Sequence, residues 1–294
     1  MGSDLESEPV PERLLFSKDF DLARMSSGSI FDPMKPQHIL HLLLVLCLLG
    51  CKSFDLQKQE KEFETILGAI TRGDTSSKQI ALVFTGHEFA EGGPVILKTL
   101  KDQQSKATFF FTGDFYRNPD FSALISSIEE DGHYLGAHSD KHLLYCDWTR
   151  WDSLLVTKEE FARDLFDNYE EMEKYGIRRD RAPYFLPPYE WYNDSISQWT
   201  EDMGLQLINF THGTLSHADY TTPSMPGYRS SDTIYRSIMR FGEEQANGLK
   251  GFILLIHIGA GPEREDKFYL LLDRMMRELK GRGYRFVRID ELLD

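Results

Sequence analysis

The sequence predicts an α/β fold whose parallel sheet is curled into a (β/α) barrel. From residue 80 onward, short apolar runs typical of buried strands alternate with longer segments typical of helices. At least six such strand–helix units can be distinguished, and this number favours a barrel over an open sheet. Because no repeat, low-complexity tract or linker interrupts the pattern, we expect one barrel domain over residues 78–294.

The predicted strands are rich in Val, Ile, Leu and Phe, and predicted helices separate them. Strands are expected at residues 80–84, 107–111, 132–137, 205–209, 251–257 and 284–288. Helices are expected at residues 94–104, 119–131, 158–175, 194–203, 232–246 and 265–280. Thr157 and Glu160 have the spacing of a capping box, which predicts a helix start at Lys158. An amphipathic segment at 56–71 is predicted to be a further helix, within a polar lead-in over 52–77.

Composition and charge restrict the function classes. The 294 residues are 41% hydrophobic and 13% aromatic, so the chain can bury a large core and is not a disordered protein. The 33 Lys and Arg are outnumbered by 47 Asp and Glu, giving a formal charge of −14. This charge repels phosphate backbones, so we expect no nucleic-acid partner. Of three cysteines only Cys146 lies outside the N-terminal segment, so no disulfide framework is expected.

The N-terminal segment predicts export and a lipid anchor. Residues 39–50 form an apolar run with the length of a signal-peptide h-region, and Met34-Lys35 precedes it. Leu48-Leu49-Gly50-Cys51 resembles a bacterial lipobox. We therefore expect residues 1–51 to be an N-terminal extension and lipoprotein-like signal segment, with a lipid on Cys51 that holds the protein to a membrane. The expected location is the periplasm or outer membrane; a short buried helix is the alternative interpretation.

Side chains capable of chemistry follow the ends of the predicted strands. His138 and His142, four residues apart, would share one face of a helical turn and could bind one metal ion. The other candidates are two further histidines and three carboxylates: His87, Glu88, Glu190, Asp219 and His257. Because strand ends converge at one face of a (β/α) barrel, these groups are expected to form one site.

The order of these motifs resembles that of the polysaccharide deacetylase (NodB-homology) family. The chain has Lys-Ala-Thr-Phe-Phe at 106–110, His-Ser-x-x-His at 138–142, Pro-Pro-Tyr at 187–189 and a strand ending at His257. The resemblance covers roughly residues 78–290. It implies a distorted (β/α) barrel and metal-dependent hydrolysis of an acetyl group on a sugar.

The sequence departs from the family where the resemblance implies two acids. Family members read Thr-Phe-Asp-Asp-Gly at the first strand end, the first Asp acting as base and the second as metal ligand. This chain has Thr85 and Gly86 in their places, and Leu186 replaces the arginine that accompanies the base. The missing pair of acids makes the chain an atypical member.

The remaining roles are assigned partly by resemblance and partly from the residues. A divalent metal, most simply Zn²⁺, is expected on His138, His142 and either His87 or Glu88. The resemblance implies that His257 is the general acid and that Asp219 orients it. For the base, Glu88 is the first candidate and Glu190 the second, since Thr85 cannot accept the proton. Tyr189 and Trp191 are candidates for binding a sugar ring.

Three functions remain open at this level. The first is a metal-dependent hydrolase that removes N- or O-linked acetyl groups from a polysaccharide or cell-wall glycan. The second is a catalytically impaired, glycan-binding lipoprotein on the same scaffold, which the missing acids favour. The third is a hydrolase of another amide or ester. Retention of a general acid with its carboxylate partner favours an enzyme, because a binding module needs neither.

Overall fold

The computed structural model describes residues 62–294. The apolar run 39–50, Cys51 and the start of the predicted helix at residue 56 lie outside the described residues. Within residues 62–294, no helix has the length and apolar character needed to cross a membrane.

The described residues contain one mixed sheet. Its strands are β1 Glu64–Ile66, β2 Ala69–Arg72, β3 Gln79–Gly86, β4 Thr108–Phe111, β5 Tyr134–Ala137, β6 Tyr184–Phe185, β7 Gln206–Leu207, β8 Phe252–His257 and β9 Arg285–Val287. The order across the sheet is β1-β2-β8-β3-β4-β5-β6-β7, and β9 pairs with the beginning of β3. From β8 to β7 all neighbours are parallel, whereas β1 and β2 are antiparallel. Strand–helix alternation thus gives the predicted parallel sheet.

The sheet curls until its two sides meet. Ile70 of β2 forms a bridge with Ile208, the residue after β7. The Asn209 N–H donates to the Ile70 carbonyl over 2.9 Å, and the Thr211 hydroxyl donates to the Thr71 carbonyl over 2.5 Å. These bonds close a distorted barrel through an irregular seam rather than a continuous ladder.

Helices connect the parallel strands and pack against the sheet. They are Gly93–Asp102, Gly113–Arg117, Ser122–Glu130, Lys158–Glu173, Asp194–Asp202, Ser231–Glu244, Leu272–Gly281 and Ile289–Leu293. The helix at Lys158 begins with the predicted capping box of Thr157 and Glu160. Stacked aromatic rings such as Phe84 and Phe109, 4.9 Å apart, fill the space beside the central strands.

The helix predicted at 56–71 is wrong over its described part. Residues 64–72 are the hairpin β1–β2, whose turn residues Leu67 and Gly68 have φ of 47° and 81°. Positive φ at both turn positions is the geometry of a type I′ hairpin turn. Because β2 pairs with β8 through Arg72 and Phe252, these residues are part of the same sheet as the strands after residue 78.

Candidate active site

The parallel strands bring the candidate residues to one rim. His87 follows β3, His138 follows β5, Glu190 lies beyond β6, and His257 ends β8. All four therefore lie at carboxyl ends of the barrel strands, as the sequence predicted. Thr85 of β3 is directly opposite His257 in the ladder, so the two side chains belong to the same face of the sheet.

The histidine loop, residues 138–142, is not the helical turn that the sequence predicted. Ser139 and His142 have φ of 74° and 55°, in the left-handed region, so the loop is irregular. Asp164 holds it: its carboxylate accepts the Asp140 N–H over 3.2 Å and the Lys141 N–H over 3.0 Å. The loop still brings the rings of His138 and His142 to 5.1 Å.

His87 completes a cluster of three imidazoles. Its ring stacks on His142 with centroids 4.8 Å apart, and its Nδ1 lies 3.1 Å from the Thr112 hydroxyl. His138 Nδ1 lies 2.8 Å from the Leu186 carbonyl, which can only accept, so Nδ1 carries the proton. The Nε2 lone pair of His138 is then available to a metal.

The donor set fits the divalent metal that the family generally uses. Burial lowers the pKa of His138 to about 3 and that of His142 to about 2, so both rings are neutral, the form that binds metal. Three imidazoles with an open position suit Zn²⁺. No group of three or more His, Cys, Asp or Glu side chains between residues 62 and 294 is already arranged as a metal shell. The rings of His87 and His142 are stacked face to face.

His257 and Asp219 form the expected pair. The His257 Nδ1 lies 2.6 Å from Asp219 Oδ1, and the His257 backbone N–H donates to Asp219 Oδ2 over 2.9 Å. Burial opposes the charged imidazolium, but the charge and hydrogen bond of Asp219 outweigh burial and raise the pKa of His257. Because Asp219 occupies Nδ1, Nε2 is the His257 nitrogen left for proton transfer.

Glu190 interacts electrostatically with both members of this pair. Burial raises the pKa of Glu190 to about 7, against the lowering effect of His257. Its side chain makes no hydrogen bond or ion pair with another residue of the described segment, although its carbonyl accepts from Asn209 over 2.7 Å. Glu190 has φ of 53°, as a left-handed residue following left-handed Tyr189. A glycine would adopt this backbone without strain, so the retained carboxylate is a candidate functional group.

The positions of the missing acids are filled in two ways. Thr85 is buried, and its hydroxyl has no hydrogen-bond partner among the described residues. At Gly86, an added Cβ would lie within 2.9 Å of Ile258, Phe111 and Phe115, so there is no room for a carboxylate without repacking. Leu186 is fully buried and uses its carbonyl to orient His138.

Glu88 and the aromatic candidates differ in their exposure at the rim. Glu88 is exposed and has no hydrogen bond or ion pair with any described residue. Tyr189 is 44% exposed with its ring 4.4 Å from that of His142, and Trp191 is half-buried. Of the two aromatic candidates, Tyr189 thus borders the histidine cluster.

Several residues that support the site were not predicted from the sequence. Asn168, on the helix Lys158–Glu173, accepts the His138 backbone N–H over 2.9 Å and donates to the Phe111 carbonyl over 3.2 Å. Arg117 binds both oxygens of Asp140, at 2.6 and 2.9 Å, within the histidine loop. Thr112, whose hydroxyl contacts His87, is the one supporting residue whose position indicates a role, because it directly follows the strand run that ends at Phe111.

Comparison with known proteins identifies the family. The family model for polysaccharide deacetylases matches residues 72–208. The chain is 28% identical over 220 residues to a peptidoglycan-N-acetylglucosamine deacetylase of Bacillus cereus, covering 74% of this chain and 89% of that protein. It is also 28% identical to the peptidoglycan-N-acetylglucosamine deacetylase PgdA of Listeria monocytogenes, but it spans only 39% of that protein's length.

A solved structure supports the fold. The CE4 family pseudoenzyme BA3943 from Bacillus anthracis superposes with a TM-score of 0.60 at 22% identity, covering 78% of this chain and 70% of that one. The predicted distorted barrel is confirmed. The chain belongs to the polysaccharide deacetylase family.

Proposed function

We propose that this protein is an atypical, metal-dependent deacetylase that removes acetyl groups from a cell-wall glycan, with Glu190 as its base and His257 as its acid. The observation that carries the proposal is the unpaired Glu190 carboxylate, held on a left-handed backbone beside the His257–Asp219 pair. The relatives that act on peptidoglycan favour that substrate class, and it agrees with the exported location expected from residues 39–51.

The proton chemistry follows from the two side chains. With a pKa of about 7, Glu190 is partly ionised near neutral pH and is basic enough to take a proton from water as that water attacks the acetyl carbonyl. His257, kept protonated by Asp219, donates its Nε2 proton to the sugar nitrogen or oxygen as the bond to the acetyl carbon breaks. Acetate and a free amine or hydroxyl result.

The histidine cluster would hold the metal. His87, His138 and His142 supply three neutral nitrogen donors, and we propose Zn²⁺ as the ion. Such an ion, when bound, polarises the acetyl carbonyl and lowers the pKa of water. Replacing both His138 and His142 by Ala should remove stoichiometric zinc on elemental analysis, whereas His212→Ala, which removes an exposed histidine, should not. Retained zinc in the double variant would contradict this ligand set.

Glu190 is preferred to Glu88 as the base because of its surroundings. Glu88 is exposed and free of contacts, whereas Glu190 is half-buried close to the general acid. A base in a desolvated site has the raised pKa that efficient proton transfer at neutral pH requires.

The roles can be separated by a rescue experiment. Glu190→Gln should lower kcat for acetate release by about 10²–10⁴-fold, while Glu88→Gln should retain activity. Thr85→Asp in the Glu190→Gln background places an acid opposite His257 and should restore part of the lost activity. Equal losses in Glu88→Gln and Glu190→Gln would refute the assignment of the base.

A glycan-binding protein without catalysis is the second candidate. Thr85 and Gly86 remove both acids, and Gly86 has no space for one. Glycan binding by the zinc-loaded protein without acetate release would establish this alternative.

A further inference from the structure

Arg264 is a buried arginine in the loop that follows β8. Its side chain is 0% exposed, although charged side chains are almost never fully buried unless they are paired. Its ion-pair partner is Asp266, whose Oδ2 lies 3.7 Å from Nη2 and whose side chain is 42% exposed. Water weakens an ion pair that is this open, so the burial of Arg264 requires other partners.

Backbone carbonyls from two loops satisfy the guanidinium. On its own loop, Nε donates to the Asp266 carbonyl over 2.6 Å. On the neighbouring loop, Nη1 donates to the Thr221 carbonyl, and Nη2 donates to the Arg229 carbonyl over 2.9 Å. Nη2 also donates to the Ser231 hydroxyl over 3.3 Å. The planar, forked guanidinium can make all these bonds at once, which the compact ammonium group of a lysine cannot.

The bond to Thr221 fastens the turn that contains Asp219. This turn is the short 3₁₀ helix Ser216–Tyr220, which has few internal hydrogen bonds and depends on outside contacts. Directly after it, the N–H and the hydroxyl of Thr221 both donate to the Ala218 carbonyl, over 3.1 and 2.6 Å. Arg264 therefore ties the end of the turn to the loop after β8.

The turn and the end of β8 have to stay in place for the acid to work. Asp219 accepts two bonds from His257, one from Nδ1 over 2.6 Å and one from the backbone N–H over 2.9 Å. Hydrogen bonds weaken steeply when distance and angle change, so a displaced turn would release the imidazole. The other ionisable groups around His257 are Arg264, Glu190, Tyr220 and the imidazoles of His138, His142 and His217.

We propose that Arg264 is a positioning residue for the general acid: it holds the turn with Asp219 against the loop after β8, so that the carboxylate stays on Nδ1 of His257. The inference rests on the proposed function for the role of His257 as the acid. The positive charge of Arg264 opposes protonation of His257 and lowers its pKa. The contribution of Arg264 to the acid therefore comes from the shape of its guanidinium and not from its charge.

The test measures the pKa of His257 in the full chain by NMR titration of histidine-labelled protein, with the resonance assigned from a His257→Gln sample. Arg264→Lys loses the forked donor set, so the pKa of His257 should fall by about one pH unit or more, as expected for Asp219→Asn. Loss of the positive charge alone would raise this pKa, so a fall can only come from the displaced carboxylate. Arg72→Lys is the matched control, because it replaces a buried arginine that bonds two backbone carbonyls at the opposite end of β8. It should leave the pKa of His257 unchanged.

A second, milder variant keeps the test decisive if Arg264→Lys does not fold by circular dichroism. Thr221→Val removes the hydroxyl bond to the Ala218 carbonyl and should lower the pKa of His257 in the same direction by a smaller amount. No fall in this pKa in either variant would overturn the proposal, and so would an equal fall in Arg72→Lys.

Acetate release is measured on the same samples to separate the two hypotheses. A fall in the pKa of His257 in Arg264→Lys, with no acetate released by wild type, refutes the enzyme and supports the positioning of the pair by Arg264. Acetate release by wild type, with the pKa of His257 unchanged in both variants, refutes only the role of Arg264.

Discussion

Replacing Glu190 by Gln should change how the stability of the protein depends on pH. The folded protein holds the pKa of Glu190 at about 7, whereas the ordinary value is 4.5. Between these values the folded state binds more protons than the unfolded state, so the free energy of unfolding falls as pH rises. Glutamine resembles the protonated acid and does not titrate, so the variant lacks this loss.

The size of the effect follows from the shift. Each pKa unit corresponds to about 1.4 kcal/mol, so raising the pH from 5.5 to 8 should cost wild type about 2 kcal/mol through this group alone. Since Glu190 is only half-buried, solvent reduces the expected value to about 1–2 kcal/mol. Urea unfolding of wild type and Glu190→Gln from pH 5.5 to 8 measures the difference between their two pH profiles.

A surface substitution provides the control for this experiment. Glu130→Gln removes an exposed carboxylate at the end of a helix, and its pH profile should follow that of wild type within about 0.5 kcal/mol. If the profiles of Glu190→Gln and wild type are parallel across the whole pH range, Glu190 is not a desolvated acid and the reasoning about the base fails.

Three further substitutions test other parts of the structure. Thr85→Val removes a buried hydroxyl without a partner and should raise the free energy of unfolding by about 1 kcal/mol; a loss of that size would show that the hydroxyl is satisfied. At Gly113 an added Cβ would lie 1.8 Å from a carboxylate oxygen of the histidine loop. Gly113→Ala should therefore cost about 1–3 kcal/mol in urea unfolding, while Gly227→Ala, with open space around it, should cost little. Asp219→Asn removes the charge that raises the pKa of His257, so the alkaline limb of the kcat/KM profile should move to lower pH by about one unit or more; an unmoved limb would separate His257 from the acid step.

The regular part of the barrel was predictable because its signals are local. Runs such as 80–84 and 252–257 are buried on both faces and bounded by polar residues, so their strand character is visible in sequence. In a parallel sheet the carboxyl ends of the strands converge at one rim. For this reason His138, His257 and Asp219 could be assigned to one site from the sequence alone.

The errors arose where backbone conformation departs from local propensity. Phe63, Ile66 and Ile70 have helix-like spacing, but positive φ at Leu67 and Gly68 turns the segment into a hairpin, and pairing with β8 outweighs propensity. Left-handed His142 is another such case, because the contacts of Asp164 that fix its loop come from a distant helix.

The choice between Glu88 and Glu190 also depended on three-dimensional information. Sequence spacing places both near strand ends, but burial decides their basicity.

Acetate release from purified peptidoglycan by the zinc-loaded full chain tests the central claim most directly. Wild type should release acetate, and both Glu190→Gln and His257→Ala should lower kcat by about 10²–10⁴-fold while retaining their zinc. No acetate from wild type with its zinc in place, or undiminished release by Glu190→Gln, would contradict the account.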